Sequence, residues 1–152
     1  MNIVILENIR SAYNVGNIIR TADALGWQVR LSGYTPSPLD NSKVVKTSLG
    51  AENNVGLKQF DSTADAIIEA KKKKYIVIAA EITKMSLPLA SFSHAHPGEN
   101  IAIIFGNEVD GVLDSTLKLV DEVVHIPMQG VKESLNVGQT SAIFMRAFSK
   151  GK

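Results

Sequence analysis

The chain contains no cysteine. Disulfides and thiolate metal sites are therefore excluded, and a reducing, cytoplasmic location is the expectation. No apolar run approaches the roughly 20 residues that a helix needs to cross a bilayer, so no membrane association is expected. The first residues, MNIVILEN, have a short apolar stretch, no basic start and no small-residue cleavage site, and no signal peptide is expected from them. An excess of one charge is missing too, because 16 Lys and Arg stand against 15 Asp and Glu. Bulk electrostatics do not announce a nucleic-acid binder, and any RNA or DNA site must be local. No GxGxxG follows the first strand and no GxxxxGK(S/T) occurs, so the usual dinucleotide and phosphate cradles are absent.

What is present reads as one domain over residues 1–152, without internal repeat, linker or separate RNA-binding domain. A domain of this size can bury roughly 68–70% of its unfolded surface, enough for a core without staples. Ile3 to Leu6 is a continuous apolar strand of the kind buried on both faces of a parallel sheet. Asn14 suits an N-cap, and Val15, Ile18, Ile19, Ala22 and Leu25 follow at helical spacing until Gly26 stops the helix. That spacing puts Asn17, Arg20 and Ala24 on the opposite face.

Further strands are expected over Trp27 to Ser32, Val55 to Phe60 (an edge strand), Tyr75 to Ala80, Ile101 to Phe105 and Glu122 to Ile126. Short helices are expected over Lys43 to Leu49 and Asp114 to Leu119, a longer one after Ser62, and a closing one over Val137 to Ser149. Thr83 to Gly98, with two prolines and two histidines, reads as an irregular connection. The alternation predicts an α/β fold with a mostly parallel sheet and helices on both faces. The lysine run 71–74 suits either a nucleic-acid patch or a solvated helix C-terminus.

In such sheets ligands bind beyond the C-terminal strand ends. Three polar loops lie there: the one after Ala80, the Gly106-Asn107-Glu108 turn, and the segment from Pro127 to Asn136. The last carries Gln129, Gly130, Lys132, Glu133, Ser134 and Asn136, more polar capacity than a connection needs. Ser134 lacks the G-x-S-x-G context of an activated nucleophile, and His94, His96 and His125 sit in contexts that suggest neither a base nor a metal site.

Three stretches carry a resemblance. NVGNIIRTADALG (14–26), IFGNEVDGV (104–112) and IPMQGVKESLNVGQTSAIFMRAF (126–148) resemble, in order, the three motifs of the SpoU, or TrmH-like, branch of the SPOUT RNA methyltransferases. The resemblance extends over essentially the whole chain. It implies a C-terminal deep trefoil knot whose crossing forms a pocket for S-adenosyl-L-methionine, a homodimer with active sites at its interface, and RNA, tRNA or rRNA, as substrate. It further implies that Arg20, Asn14, Glu108, Ser134 and Asn136 serve a reaction at a ribose 2′-hydroxyl. Gly106, Ile126, Met128 and Leu135 would enclose the cofactor, Ala80, Glu81 and Ile82 would line its adenine side, and no metal is implied.

A guanidinium, with a pKa above about 12, resists acting as a base, so Arg20 is expected to work as a cation on phosphate and developing alkoxide. The apolar residues of the last helix, Ile143, Phe144, Ala147 and Phe148, suggest a dimer face. Local RNA contacts are expected from Arg10, Lys46 and Lys132. Each site residue has another use: Asn14, Ser134 and Asn136 suit helix caps, Arg20 suits an i,i+3 pair with Asp23, and Glu108 suits a solvated loop. Two other functions stay open, a knotted RNA-binding or assembly factor with little activity and a base-directed methylase.

Overall fold

In a computed structural model that describes residues 1–149, seven strands form one sheet. They are β1 (Ile3–Glu7), β2 (Gln28–Ser32), β3 (Leu57–Phe60), β4 (Ile76–Ala80), β5 (Leu87–Pro88), β6 (Ile101–Phe105) and β7 (Glu122–His125). Their order is β3-β2-β1-β6-β4-β7-β5, and every pairing is parallel. Six helices connect them: α1 (Ala12–Leu25), α2 (Ser42–Ser48), α3 (Thr63–Lys72), α4 (Leu89–Ala95), α5 (Asp114–Leu117) and α6 (Val137–Phe148). The expected α/β sheet is what forms, with β3 at an edge.

Parallel strands buried on both faces explain the unbroken apolar runs. Val4, Leu6, Ile78, Ile101, Ile103, Phe105 and Val124 point to one side, against α1, α2, α4 and α6. Ile3, Ile5, Val77, Ala79, Ala102 and Ile104 point to the other, against α3 and the region of α5. Phe144 of α6 is 1% exposed and packs edge-on against Phe105, with ring centroids 5.6 Å apart. Phe148 packs edge-on against Phe92 of α4 at 6.0 Å. Most of the apolar stripe of α6 is thus consumed within the chain, and only Ile143 and Ala147 of the residues expected at a dimer face are exposed.

Two local expectations are corrected. The connection Thr83 to Gly98 is not irregular, since it contains β5 and α4. Pro88 precedes α4 at φ −61, where a missing N–H costs nothing, and Leu89 and Phe92 bury one face of the helix. His94 and His96 bond through Nδ1 to the carbonyls of Ala90 and Phe92, which accounts for both structurally. The N-cap of α1 is Ser11 rather than Asn14: the Ser11 hydroxyl accepts from Asn14 N–H at 3.2 Å. Asn14 lies inside the first turn, with its side chain engaged elsewhere. Gly26, left-handed at φ 72, ends α1 as expected.

The lysine run closes α3 and leads into the N-terminal end of β4, about 17 Å along a five-residue strand from the end where ligands gather. Lys73 pairs with Glu69 and Lys71 with Asp121, so the helix-terminus reading fits its placement. α1 and α2 meet at Gly16, where an added Cβ would overlap Thr47 Oγ1 and the Val44 carbonyl. Gly16→Ala should therefore lower stability by about 1–3 kcal/mol, read as a drop in the thermal midpoint. An unchanged midpoint would show that α2 can move away freely.

Candidate active site

The strand order reverses between β1 and β6, because the chain leaves β1 toward β2 and leaves β6 toward β7. A crevice is expected at such a switch point, yet here it is filled. The Glu108 carboxylate reaches back from the loop after β6 and accepts hydrogen bonds from Arg10 N–H at 3.0 Å and Ser11 N–H at 3.1 Å. These are donors at the mouth of α1 that have no intrahelical acceptor, and the anion also complements the positive end of the helix. Asn107 adds a second tie, donating from Nδ2 to the Asn8 carbonyl at 2.8 Å. Its Oδ1 accepts from Val109 and Asp110 N–H and closes the turn.

The cavity lies one step along the sheet, over the C-terminal ends of β4, β6 and β7. It encloses about 710 Å³ and is roofed by the segment from Ile126 to Val137 and the start of α6. All three polar loops singled out above line it. That segment must cross back over the strand ends, because α6 packs against α1 and β6 although β7 lies on the far side of β4.

A chain of polar contacts joins the three motifs. Asn136 Oδ1 accepts from Gly138 N–H at 2.8 Å and Gln139 N–H at 3.4 Å, capping α6. Its Nδ2 is thereby turned toward Asn14 and donates to Asn14 Oδ1 at 3.4 Å. Asn14 Nδ2 in turn faces the Glu108 carboxylate at 3.5 Å. Each amide orientation follows from its neighbour, starting from a backbone donor that cannot be reversed. Partial burial pushes the Glu108 carboxyl up, but the hydrogen bonds from Arg10 N–H, from its own backbone, from Ser11 N–H and from Asn14 outweigh it and hold the group below its ordinary range.

Ala80, Glu81, Ile82, Gly106, Ile126, Met128 and Leu135 all line the cavity, together with Glu108, Ser134 and Asn136. Glu81 accepts from Val112 N–H at 3.2 Å and Ile82 N–H at 3.2 Å, tying the end of β4 to the loop after β6. A side chain at Gly106 would overlap the backbone of Gly111 and Val112. The Ser134 hydroxyl makes no hydrogen bond among the described residues and is open to the cavity. Arg20 stands apart: it is exposed on α1, outside the lining, six residues and about 9 Å of helix axis beyond Asn14. Among the described residues it pairs with neither Asp23 nor any other acid.

Asp110, Asp114 and His125 also line the cavity; the sequence reading does not single out the two acids and assigns His125 no role. Asp110 belongs to a strand-end loop and Asp114 opens α5, but their residue type alone does not separate them from solvated acids. His125 Nδ1 is buried without a hydrogen-bond partner among the described residues. The lining contains the carboxylates of Glu81, Glu108, Asp110 and Asp114 and no lysine or arginine. A cleft lined by one sign of charge concentrates ligands of the other sign, so this cavity favours a cation and disfavours phosphate. Its apolar wall, which includes Phe105, Val124, Ile126 and Phe144, suits a flat organic group. Among the described residues no cluster of metal-ligating side chains occurs, and no helix is long and apolar enough to cross a membrane.

The depressed Glu108 pKa makes the tie pH-dependent. Its stabilisation is present above the unfolded-state value near about 4.3 and is lost as pH falls through the lower folded value. Glu108→Gln should therefore flatten the decline of the thermal midpoint with acidification below about pH 5. An acid limb identical to that of the unaltered protein would contradict the assignment.

Comparison with known proteins follows the same residues. Residues 1–146 match the SpoU rRNA Methylase family. A tRNA (guanosine(18)-2'-O)-methyltransferase from Aquifex aeolicus is 26% identical over 144 residues, covering 94% of this chain and 66% of that protein. A solved structure bearing on the 2-OH methylation of C/U34 on tRNA is 28% identical, with a TM-score of 0.82, covering 96% of this chain and 92% of that one. The SpoU methyltransferase AviRb from Streptomyces viridochromogenes, in complex with AdoMet, is 23% identical with a TM-score of 0.84, covering 95% of this chain and 58% of that one, and shows the shared fold. The chain spans just under two thirds of the length of the Aquifex relative.

Proposed function

This chain belongs to the SpoU methylase family, and from that premise we propose that it is an S-adenosylmethionine-dependent RNA methyltransferase acting on a ribose 2′-hydroxyl. The observation that carries the reading is the cavity itself, acidic, without a cation, and built from the loop after β4 and from the second and third motifs, to which Asn14 of the first is tied through Glu108 and Asn136. A cofactor bearing a sulfonium and an ammonium group suits such a lining, whereas a nucleotide phosphate does not. When bound, S-adenosylmethionine supplies an electrophilic methyl group.

The chain's own residues supply the rest. Ala80 to Ile82, Gly106, Ile126, Met128 and Leu135 hold the cofactor, partly through the backbone groups that strand ends leave unpaired. Glu108, Asn14 and Asn136 keep the roofing segment in register, and Ser134 offers its unengaged hydroxyl to the incoming ribose. Exclusion of water by the roof removes a competing acceptor.

Arg20 lies outside the lining of this cavity. A homodimer in which a second copy delivers its Arg20 resolves the separation, and the exposed Ile143 and Ala147 on α6 contribute to the contact. The guanidinium then grips a phosphate beside the target ribose and stabilises the developing alkoxide. tRNA is the favoured substrate, supported by the solved structure of nearly the same length that bears on 2-OH methylation of tRNA. A cytoplasmic location fits both an RNA substrate and a chain without cysteine.

Incubation with methyl-labelled S-adenosylmethionine and total RNA, followed by digestion to nucleosides, should place label on ribose. Label on a base would indicate a base-directed methylase, and no label a binding or assembly factor; either outcome overturns the proposal. Arg20→Lys should lower turnover about tenfold or more while leaving cofactor affinity intact, because it loses the bidentate fork. Mixing inactive Arg20→Ala chains with inactive Asn136→Ala chains should restore part of the activity. No restoration, despite exchange of subunits, would place Arg20 in its own chain's site.

A further inference from the structure

A second cavity opens on the same edge of the sheet. It occupies about 470 Å³ over the C-terminal ends of β2 and β3, on the other side of β1 from the cavity described above. Its lining is polar without being basic. Tyr34, Asp40, Gln59 and Asp61 contribute side chains, and neither lysine nor arginine does. The side chains of Asp40, Gln59 and Asp61 form no hydrogen bond among the described residues, so their acceptor and donor capacity is unspent.

Tyr34 gives this cavity a rigid aromatic edge. The residue is 60% exposed, yet its hydroxyl is fixed, accepting from Asn107 Nδ2 at 2.7 Å. Its backbone N–H donates to Asn8 Oδ1 at 3.2 Å. An exposed ring held still from both ends loses little freedom on binding and is suited to stacking. Asn107 lines the first cavity, so this hydrogen bond links the two cavities.

Between the cavities stands a cation. Arg10 follows β1, which lies between β2 and β6; it is exposed and forms no ion pair among the described residues. Its backbone N–H is pinned by Glu108 at 3.0 Å, which fixes where the side chain begins. From the midline of β2 and β3 to β4 is three and a half strand spacings, about 17 Å. An extended RNA strand covers that span in a few nucleotides.

Resting on the methyltransferase reading, we propose that the Tyr34 cavity is a base-recognition subsite for a substrate nucleotide a few positions from the methylated ribose, with Arg10 on the intervening phosphate. Acceptors from two carboxylates and an amide favour bases that carry an exocyclic amine, namely adenine, cytosine or guanine, over uracil. The absence of a cation in the lining assigns it to a base rather than to a phosphate. Stacking on Tyr34 supplies binding that does not depend on the base, and Gln59, Asp40 and Asp61 supply the discrimination.

The test uses the full chain with two readouts, label transfer to total RNA and fluorescence anisotropy with labelled octamers of adenylate, cytidylate and uridylate. Tyr34→Ala should raise the KM for RNA about tenfold, as the loss of one stacked base does, with the change falling on KM rather than kcat. Cofactor affinity measured by calorimetry should stay within about twofold, since stacking on RNA plays no part in it. Tyr34→Phe, which keeps the ring and loses the tie to Asn107, should restore RNA binding. Gln59→Ala, at an exposed position that threatens no core, should weaken the preference for adenylate and cytidylate octamers over uridylate, which the two carboxylates share in setting.

A Tyr34→Phe variant as impaired as Tyr34→Ala would reduce the residue to a structural tether and overturn the proposal. An unaltered KM in Tyr34→Ala, or no preference among the octamers, would overturn it as well. If the unaltered protein transfers no label, the methyltransferase reading fails, while the octamer affinities still judge the subsite by themselves.

Discussion

The site depends on one carboxylate. Glu108 reaches from the loop after β6 to the mouth of α1 and satisfies two backbone donors there. With Asn107 on the Asn8 carbonyl, it seals the switch point at which a parallel sheet of this kind would otherwise open. The cavity that remains is displaced to the ends of β4, β6 and β7. Through Asn14 and Asn136 the same carboxylate is linked to the cap of α6, so the roofing segment is held at one end by its strand and at the other by this bridge. An anion at a helix N-terminus is therefore the point on which position, shape and charge of the pocket converge.

The charge pattern follows from the same economy. With Glu108 and Glu81 both satisfied largely by backbone N–H groups, the cavity needs no basic side chain to balance them, and none lines it. Binding of anions is thereby discouraged and binding of cations encouraged. Exposed Arg10 and Arg20 both lie outside the pocket lining. This division keeps positive charge away from a lining whose negative charge suits a sulfonium.

Much of the fold was legible because strands buried on both faces announce themselves as unbroken apolar runs, as Ile3 to Leu6 and Ile101 to Phe105 do. The three polar loops were legible for a related reason: a parallel sheet collects its ligand-binding loops at one edge. The N-cap was misplaced from Ser11 to Asn14 because both are good caps, and only the pull of Glu108 and Asn136 on the Asn14 side chain decides between them. α4 was missed because Pro88 was read as a breaker when it stands at a position where proline favours a helix start. The apolar stripe of α6 was read as a dimer face, yet Phe144 and Phe148 meet Phe105 and Phe92 within the chain. The separation of Arg20 from the cavity could not be read from spacing, because it depends on where the helix axis leaves the sheet. The knotted threading that the family resemblance implies has no signature in the residues, since no periodicity encodes how one loop passes another.

The central claim is that an acidic cavity, held in shape by the Glu108–Asn14–Asn136 bridge, is made for a cationic cofactor. Calorimetric titration of the purified protein with S-adenosylmethionine and, separately, with ATP tests it most directly. Saturable binding of one S-adenosylmethionine per chain, no detectable binding of ATP, and weakened cofactor binding in Asn14→Ala with helical content preserved are expected. Binding of ATP as tight as that of S-adenosylmethionine, or full cofactor affinity in Asn14→Ala, would contradict it.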